Sequence, residues 1–136
     1  MKRAPTACSL IAIGVIVLLS VLSLAGCSTE SADSALTQNT YLELVDWHIT
    51  GFWVINEPVC WVRVKNLNSV PIKDIKIQYN SFDFDGTPAG EGTYTLTPSE
   101  DPVAPGEVKN FIEQYVGPVN LHSEKLMVKL VSVSHG

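Results

Sequence analysis

The chain has 136 residues, 46% of them hydrophobic and 17% charged, with a formal net charge of −5. This length allows one domain beside a targeting segment. The acidic balance disfavours nucleic acid and anionic lipid as partners.

The first element is a leader. Met1-Lys2-Arg3 is basic, an apolar run begins at Ser9, and small residues close it at Ala25-Gly26. That is the layout of a secretory signal peptide. The four residues Leu24-Ala25-Gly26-Cys27 resemble the lipobox of bacterial lipoproteins. The resemblance implies cleavage between Gly26 and Cys27, with a diacylglyceryl group on the Cys27 sulfur at the new N-terminus. An uncleaved membrane helix is the alternative, because Ala7 to Gly26 carries no charge and about 20 apolar residues cross a bilayer. Either way the remaining chain is expected in the cell envelope, membrane-anchored and facing periplasm or exterior. Ser28 follows the cysteine where, in Gram-negative lipoproteins, aspartate would favour inner-membrane retention.

Residues 1–26 are therefore set aside as signal peptide. Removing Lys2 and Arg3 leaves seven basic and fourteen acidic residues, a net charge of −7. The carboxylates are scattered, as on a solvated surface. Cys8 leaves with the leader and Cys27 is committed to lipid, so Cys60 stands alone and no intramolecular disulfide forms. Flanked by apolar residues, Cys60 reads as a buried, inert thiol. Residues 27–40 are small and polar without a period, and are expected to be a lipidated, flexible tether.

Residues 41–136 read as an all-β domain. Runs rich in Val, Ile, Tyr, Phe and Thr alternate with turn signals, and no helical period persists. The first run is Tyr41 to Ile49. Gly51 to Ile55 is the most apolar loop-like stretch. Val59 to Lys65 alternates, which directs Cys60, Val62 and Val64 inward and Trp61, Arg63 and Lys65 outward. Ile72 to Phe84 breaks phase, since Ile75, Ile77 and Tyr79 share one parity and Phe82 and Phe84 the other. A bulge near Asn80-Ser81 would bring all five to one side. Asp85-Gly86 is a hairpin turn leading to a partner strand over Gly92 to Thr97. Strands over Val108 to Val116 and within Leu121 to Val133 follow, separated by Pro105-Gly106 and Gly117-Pro118. Six to seven such strands predict an antiparallel, immunoglobulin-like β-sandwich, preceded by the signal helix and the tether.

Several of these pieces resemble the FxLYD-type and related immunoglobulin-like domains of bacterial envelope proteins. They are Val64-Lys65-Asn66, Ile75-Lys76-Ile77-Gln78-Tyr79, Phe82-Asp83-Phe84-Asp85-Gly86, and Pro105-Gly106-Glu107 before Phe111. The literal Phe-x-Leu-Tyr-Asp string is absent, and Asn80-Ser81 separates Tyr79 from Phe82. The resemblance implies a sandwich fold and carries no catalytic site.

Chemistry-bearing patterns are sparse. His48, His122 and His135 have no metal-ligand spacing and no nearby cysteine. Asp83, Asp85 and Glu91 are spaced like the start of a calcium loop, but the twelfth position counted from Asp83 is Tyr94 rather than a bidentate Glu. No nucleophile elbow and no His-Glu-x-x-His occurs. No metal or cofactor is expected. Trp47, Trp53 and Trp61 lie close in sequence, and Trp53 and Trp61 are the candidate contacts for a partner or glycan. The expected function is that of a non-enzymatic, lipid-anchored envelope protein serving in protein interaction or envelope structure. Its expected partners are the membrane, through the anchor, and another envelope protein. The alternative is a carbohydrate- or peptidoglycan-binding module using exposed aromatics; a weaker one is a metal-binding protein or enzyme built on the histidines with Asp83 and Asp85.

Overall fold

The computed structural model describes residues 29–52 and 55–136. The segment read as a signal peptide, the expected lipidation and cleavage positions Gly26 and Cys27, and Trp53 lie outside them. A helix α1 (Thr29–Gln38) precedes six strands: β1 (Thr40–Phe52), β2 (Ile55–Asn66), β3 (Ile72–Phe82), β4 (Pro88–Thr95), β5 (Val108–Tyr115) and β6 (Lys125–His135). Residues 32–136 form one compact unit.

The strands build two three-stranded antiparallel sheets, ordered β1-β2-β5 and β4-β3-β6. The chain changes sheets after β2, β4 and β5. The expected sandwich is present, with six strands. Between the sheets lie Val62, Val64, Ile72, Ile77, Leu96, Val103 and Val133, all fully buried. Each contributes roughly 1.5–3 kcal/mol of transfer free energy.

Alternation in β2 follows the sequence reading. Cys60, Val62 and Val64 are buried, while Trp61 and Lys65 are exposed and Arg63 is half-buried. In β1 the alternation is interrupted. Leu44 pairs with Val62 and Asp46 with Trp61, so Val45 is an extra residue. This bulge changes parity and lets Leu42, Leu44 and Trp47 all pack against the core.

Three expectations are corrected. The segment read as a flexible tether contains α1. Leu36 packs on the core, and the last carbonyls are capped by side chains: Thr40 Oγ1 donates to Leu36 O at 2.8 Å and Asn68 Nδ2 to the same oxygen at 3.1 Å. Polar composition hid a helix that one leucine and its caps hold in place. The expected bulge does not bring Phe84 to the core, since that residue is 82% exposed. β3 ends at Phe82, and the chain turns at once: Asp83 N donates to Thr87 O and Gly86 N to Asp83 O. Phe82 lies on the outer face, with the Lys125 ammonium 6.0 Å from its ring centre. The partner strand then starts four residues earlier than expected, at Pro88, because the hairpin is tight. The Asp85-Gly86 turn itself forms as read, with Gly86 at φ 85° and Thr87 N donating to Asp85 Oδ1 at 2.9 Å. That donation holds the Asp85 carboxyl below its ordinary pKa.

Two buried amides tie loops to this frame. Asn66 Nδ2 donates to Val70 O and Val103 O, both at 2.9 Å, and its Oδ1 accepts from Asn68 N. Gln114 of β5 bonds to the backbone of Thr97, just past β4. Tyr79 occupies a slot that two glycines keep open. A Cβ on Gly92 would lie 2.7 Å, and one on Gly117 2.5 Å, from its ring or hydroxyl.

Candidate functional site

The outer face of the β1-β2-β5 sheet is arranged in cross-strand rows. Tyr41, Lys65 and Val108 form one, and Glu43, Arg63 and Asn110 the next. Asp46 and Trp61 follow, then His48, Val59 and Tyr115. Side chains in one row are direct neighbours across the strands. Arg63 closes its row with an ion pair to Glu43 Oε2 at 3.2 Å and a hydrogen bond to Asn110 Oδ1 at 3.2 Å.

Trp61 stands at the centre, between two irregularities. On the β1 side is the Val45 bulge. On the β5 side, Cys60 pairs with Gln114 and Val62 with Phe111, so two residues, Ile112 and Glu113, face Trp61 alone. Glu113 takes φ 52°, in the left-handed region. Bulges on both sides increase the local twist and pull the neighbouring backbone away from one side chain. A shallow cavity of about 220 Å³ results, lined by Asp46, Trp47, His48, Val59, Cys60, Trp61, Ile112 and Glu113.

The site therefore has an apolar platform and a polar fringe. Trp61 is 40% and Ile112 59% exposed, and Tyr115, Tyr41 and Val108 on the same face are also exposed. Val59, though it points outward, is buried beneath them. Asp46, His48 and Glu113 supply hydrogen-bonding groups at the rim. Such a surface can stack on a flat or apolar group and orient it with polar contacts.

Of the residues singled out from the sequence, Trp61 is on the surface and central, while Trp47 packs against the core. His48 joins Trp61 at the cavity. The sequence reading missed Ile112, Glu113 and Tyr115. Their strand was recognised, but Ile112 and Tyr115 differ in parity, and only the bulge between them turns both outward. Cys60 is buried, and burial pushes its thiol up to about 12, as expected of an inert cysteine.

The histidines do not converge. His48 lies on β1, His122 in the turn before β6 and His135 at the end of β6. Among the described residues no group of three or more His, Cys, Asp or Glu side chains is placed to hold a metal ion. Asp85 is engaged by its own turn, and Glu91 accepts from Asn80 Nδ2 at 3.3 Å. Among the described residues, no helix is long and apolar enough to cross a membrane. Compared with protein-family models, with curated proteins and with solved structures, the chain matches none.

Proposed function

We propose that this chain is a non-catalytic binding module of the cell envelope, anchored by lipid on Cys27, which engages a partner protein through the Trp61 face of the β1-β2-β5 sheet. The observation that carries the reading is the concentration of exposed Tyr41, Trp61, Val108, Ile112 and Tyr115 on that one sheet face. Large exposed apolar groups gathered on one face mark interaction surfaces, whereas scattered ones carry no such meaning. Trp and Tyr are the side chains that most often dominate interface energies.

The anchor reading rests on Leu24-Ala25-Gly26-Cys27. Acyl chains contribute roughly 0.8 kcal/mol per buried methylene, so two or three hold firmly. Only eight residues separate Cys27 from Leu36, which is docked on the domain. Because Thr29–Gln38 is helical, rising about 1.5 Å per residue, the link reaches no more than about 20 Å, and the partner is accordingly an envelope component near the bilayer.

The test is photo-crosslinking in the native membrane from a probe at Ile112, followed by identification of the attached protein. A defined envelope protein captured by the native chain and lost with Trp61→Ala supports the proposal. Equal capture by both chains overturns it.

The polar fringe of the cavity favours a second reading, a glycan-binding module. Asp46, His48 and Glu113 beside Trp61 offer hydrogen-bonding groups around an aromatic face, as a sugar ring requires. Retention on peptidoglycan or an envelope glycan that disappears with Trp61→Ala, without protein capture, would replace the first reading with this one.

A further inference from the structure

The β4-β3-β6 sheet presents a different outer face. Its cross-strand rows are Thr93-Gln78-Lys129, Glu91-Asn80-Met127 and Pro88-Phe82-Lys125, with Lys76 one row further along between Thr95 and Ser132. These positions alternate with buried Ile75, Ile77, Tyr79, Ser81 and Leu126. Lys76, Lys125 and Lys129 are exposed. Lys76 pairs with Ser132 and Ile77 with Leu130, so Val131 is the extra residue of a bulge. Val131 is 43% and Met127 51% exposed, which sets two apolar side chains among the lysines.

Charge is sorted between the two sheets. Residues 27–136 hold seven basic side chains, and four of them, Lys73, Lys76, Lys125 and Lys129, lie on β3 and β6. Within the rows the one carboxylate is Glu91, which accepts from Asn80. Asp74, beside Lys73, and Glu124, before β6, stand at the two ends of the face. Among the described residues the ion pairs are Arg63–Glu43 and Lys109–Asp101, so none of the four lysines is engaged in one. The Trp61 face carries Glu43, Asp46 and Glu113 against Arg63 and Lys65. A net charge of −7 disfavours anionic lipid for the exported part as a whole, yet its distribution leaves this one face cationic.

The chain enters the domain beside the same sheet. Val133 N of β6 donates to Thr37 Oγ1 of α1 at 3.3 Å, and Leu36 is docked on the core. Eight residues separate Leu36 from Cys27, a link of no more than about 20 Å. A membrane tether at Cys27 therefore keeps the β6 side of the domain within reach of the bilayer. One membrane signal holds weakly and is reinforced by a basic patch. Lysine stems and Met127 and Val131 suit the headgroup boundary, while the ammonium groups reach lipid phosphates.

We infer that the Lys76–Lys125–Lys129 face of the β4-β3-β6 sheet lies against an anionic lipid leaflet, which turns the Trp61 face outward to its partner. The inference rests on the membrane tether of the proposed function. Each lysine at an anionic surface contributes about fivefold in affinity. Three exposed lysines less Glu91 leave two net charges, or roughly 25-fold in favour of this orientation.

The test uses the full chain carrying a fluorescent amino acid at Met127, or at Ile112 on the opposite face. It is reconstituted into vesicles of phosphatidylcholine alone or with about 30% phosphatidylglycerol. Spin-labelled lipid quenches a probe that lies near the leaflet. Quenching at Met127 should rise at least about fivefold with phosphatidylglycerol and fall back in about 1 M salt, where the screening length is about 3 Å. Quenching at Ile112 should not change. Combined Lys76→Gln, Lys125→Gln and Lys129→Gln, all at exposed positions, should abolish the rise, and Lys65→Gln should leave it. No rise at Met127, an equal rise at Ile112, or a rise that the triple variant retains overturns the inference and leaves the tether and the Trp61 face standing. Release of the Met127 probe by soluble poly(glycerol phosphate) at equal phosphate concentration also overturns it, by assigning the face to an anionic polymer. Retention by neutral vesicles reads the tether separately: a chain washed from them removes the tether and this inference together.

Discussion

The side-chain amide of Gln114 pairs with the backbone of Thr97 as a strand would. Its Oε1 accepts from Thr97 N at 2.7 Å and its Nε2 donates to Thr97 O at 3.0 Å. Nε2 also donates to Ile112 O at 2.7 Å. Gln114 is buried, on β5 of one sheet, while Thr97 follows β4 of the other. One side chain thus joins the two sheets and also braces the bulge that presents Ile112 beside Trp61.

Replacing Gln114 by leucine keeps the volume and removes every one of these bonds. Thr97 N and O are then left without their side-chain partners. We expect a loss of about 2–4 kcal/mol, from several unsatisfied groups at about 1–3 kcal/mol each with partial relief by water. Urea unfolding should show a lower midpoint with an unchanged slope.

Asn66 should be equally intolerant. It is fully buried, and its amide serves Val70, Val103 and Asn68 at once. Asn66→Asp keeps the acceptor but turns two donated bonds into repulsion between oxygens. A cost of about 3 kcal/mol or more follows, and it should shrink at acidic pH, where the carboxyl is protonated and donates one bond. Thermal unfolding at two pH values checks this.

Trp61→Ala should separate binding from folding. The side chain is 40% exposed and lies outside the core, so the stability loss should be about 1 kcal/mol. Partner capture should fall at least about tenfold if the face works as proposed. Parallel measurement of the unfolding midpoint and of crosslinked product distinguishes the two effects.

The Cys60 thiol gives a pH signature. Its folded value is pushed up to about 12 by burial, against 9.0 for a free thiol. The folded state therefore holds its proton where the unfolded state loses it. The resulting stabilisation is whole below pH 9 and is lost as pH rises from about 9 towards about 12. Cys60→Ala should be less stable at neutral pH through lost packing, yet decline less steeply above pH 9. Iodoacetamide should label native Cys60 only on unfolding.

The anchor has its own measurement. Cys27→Ser should abolish acylation and leave an unprocessed chain, visible by mass as an intact leader. Lipid-modified Cys27 at a new N-terminus is the expected product of the native gene; a full-length chain with a bare thiol there would remove the anchor from the proposal.

Period-two alternation is a local property, and it was enough to identify the strands, the inward set Cys60, Val62 and Val64, the exposed Trp61 and the Asp85-Gly86 turn. The proposed leader rests on local pattern too, on charge and hydropathy along the first residues. What the tertiary structure decided was everything that depends on an extra residue or a distant partner. The Val45 and Ile112/Glu113 bulges, which build the cavity around Trp61, arise because packing of Leu44, Trp47, Phe111 and Gln114 outweighs strict alternation. Likewise α1 exists through Leu36 docking and capping from Asn68, and the β3-β4 turn meets the segment before β6 only through tertiary backbone bonds, Glu124 N to Phe82 O and Asn120 N to Ala89 O. Strand propensity is encoded neighbour by neighbour, whereas a site is a coincidence of positions that only the folded sheets bring about.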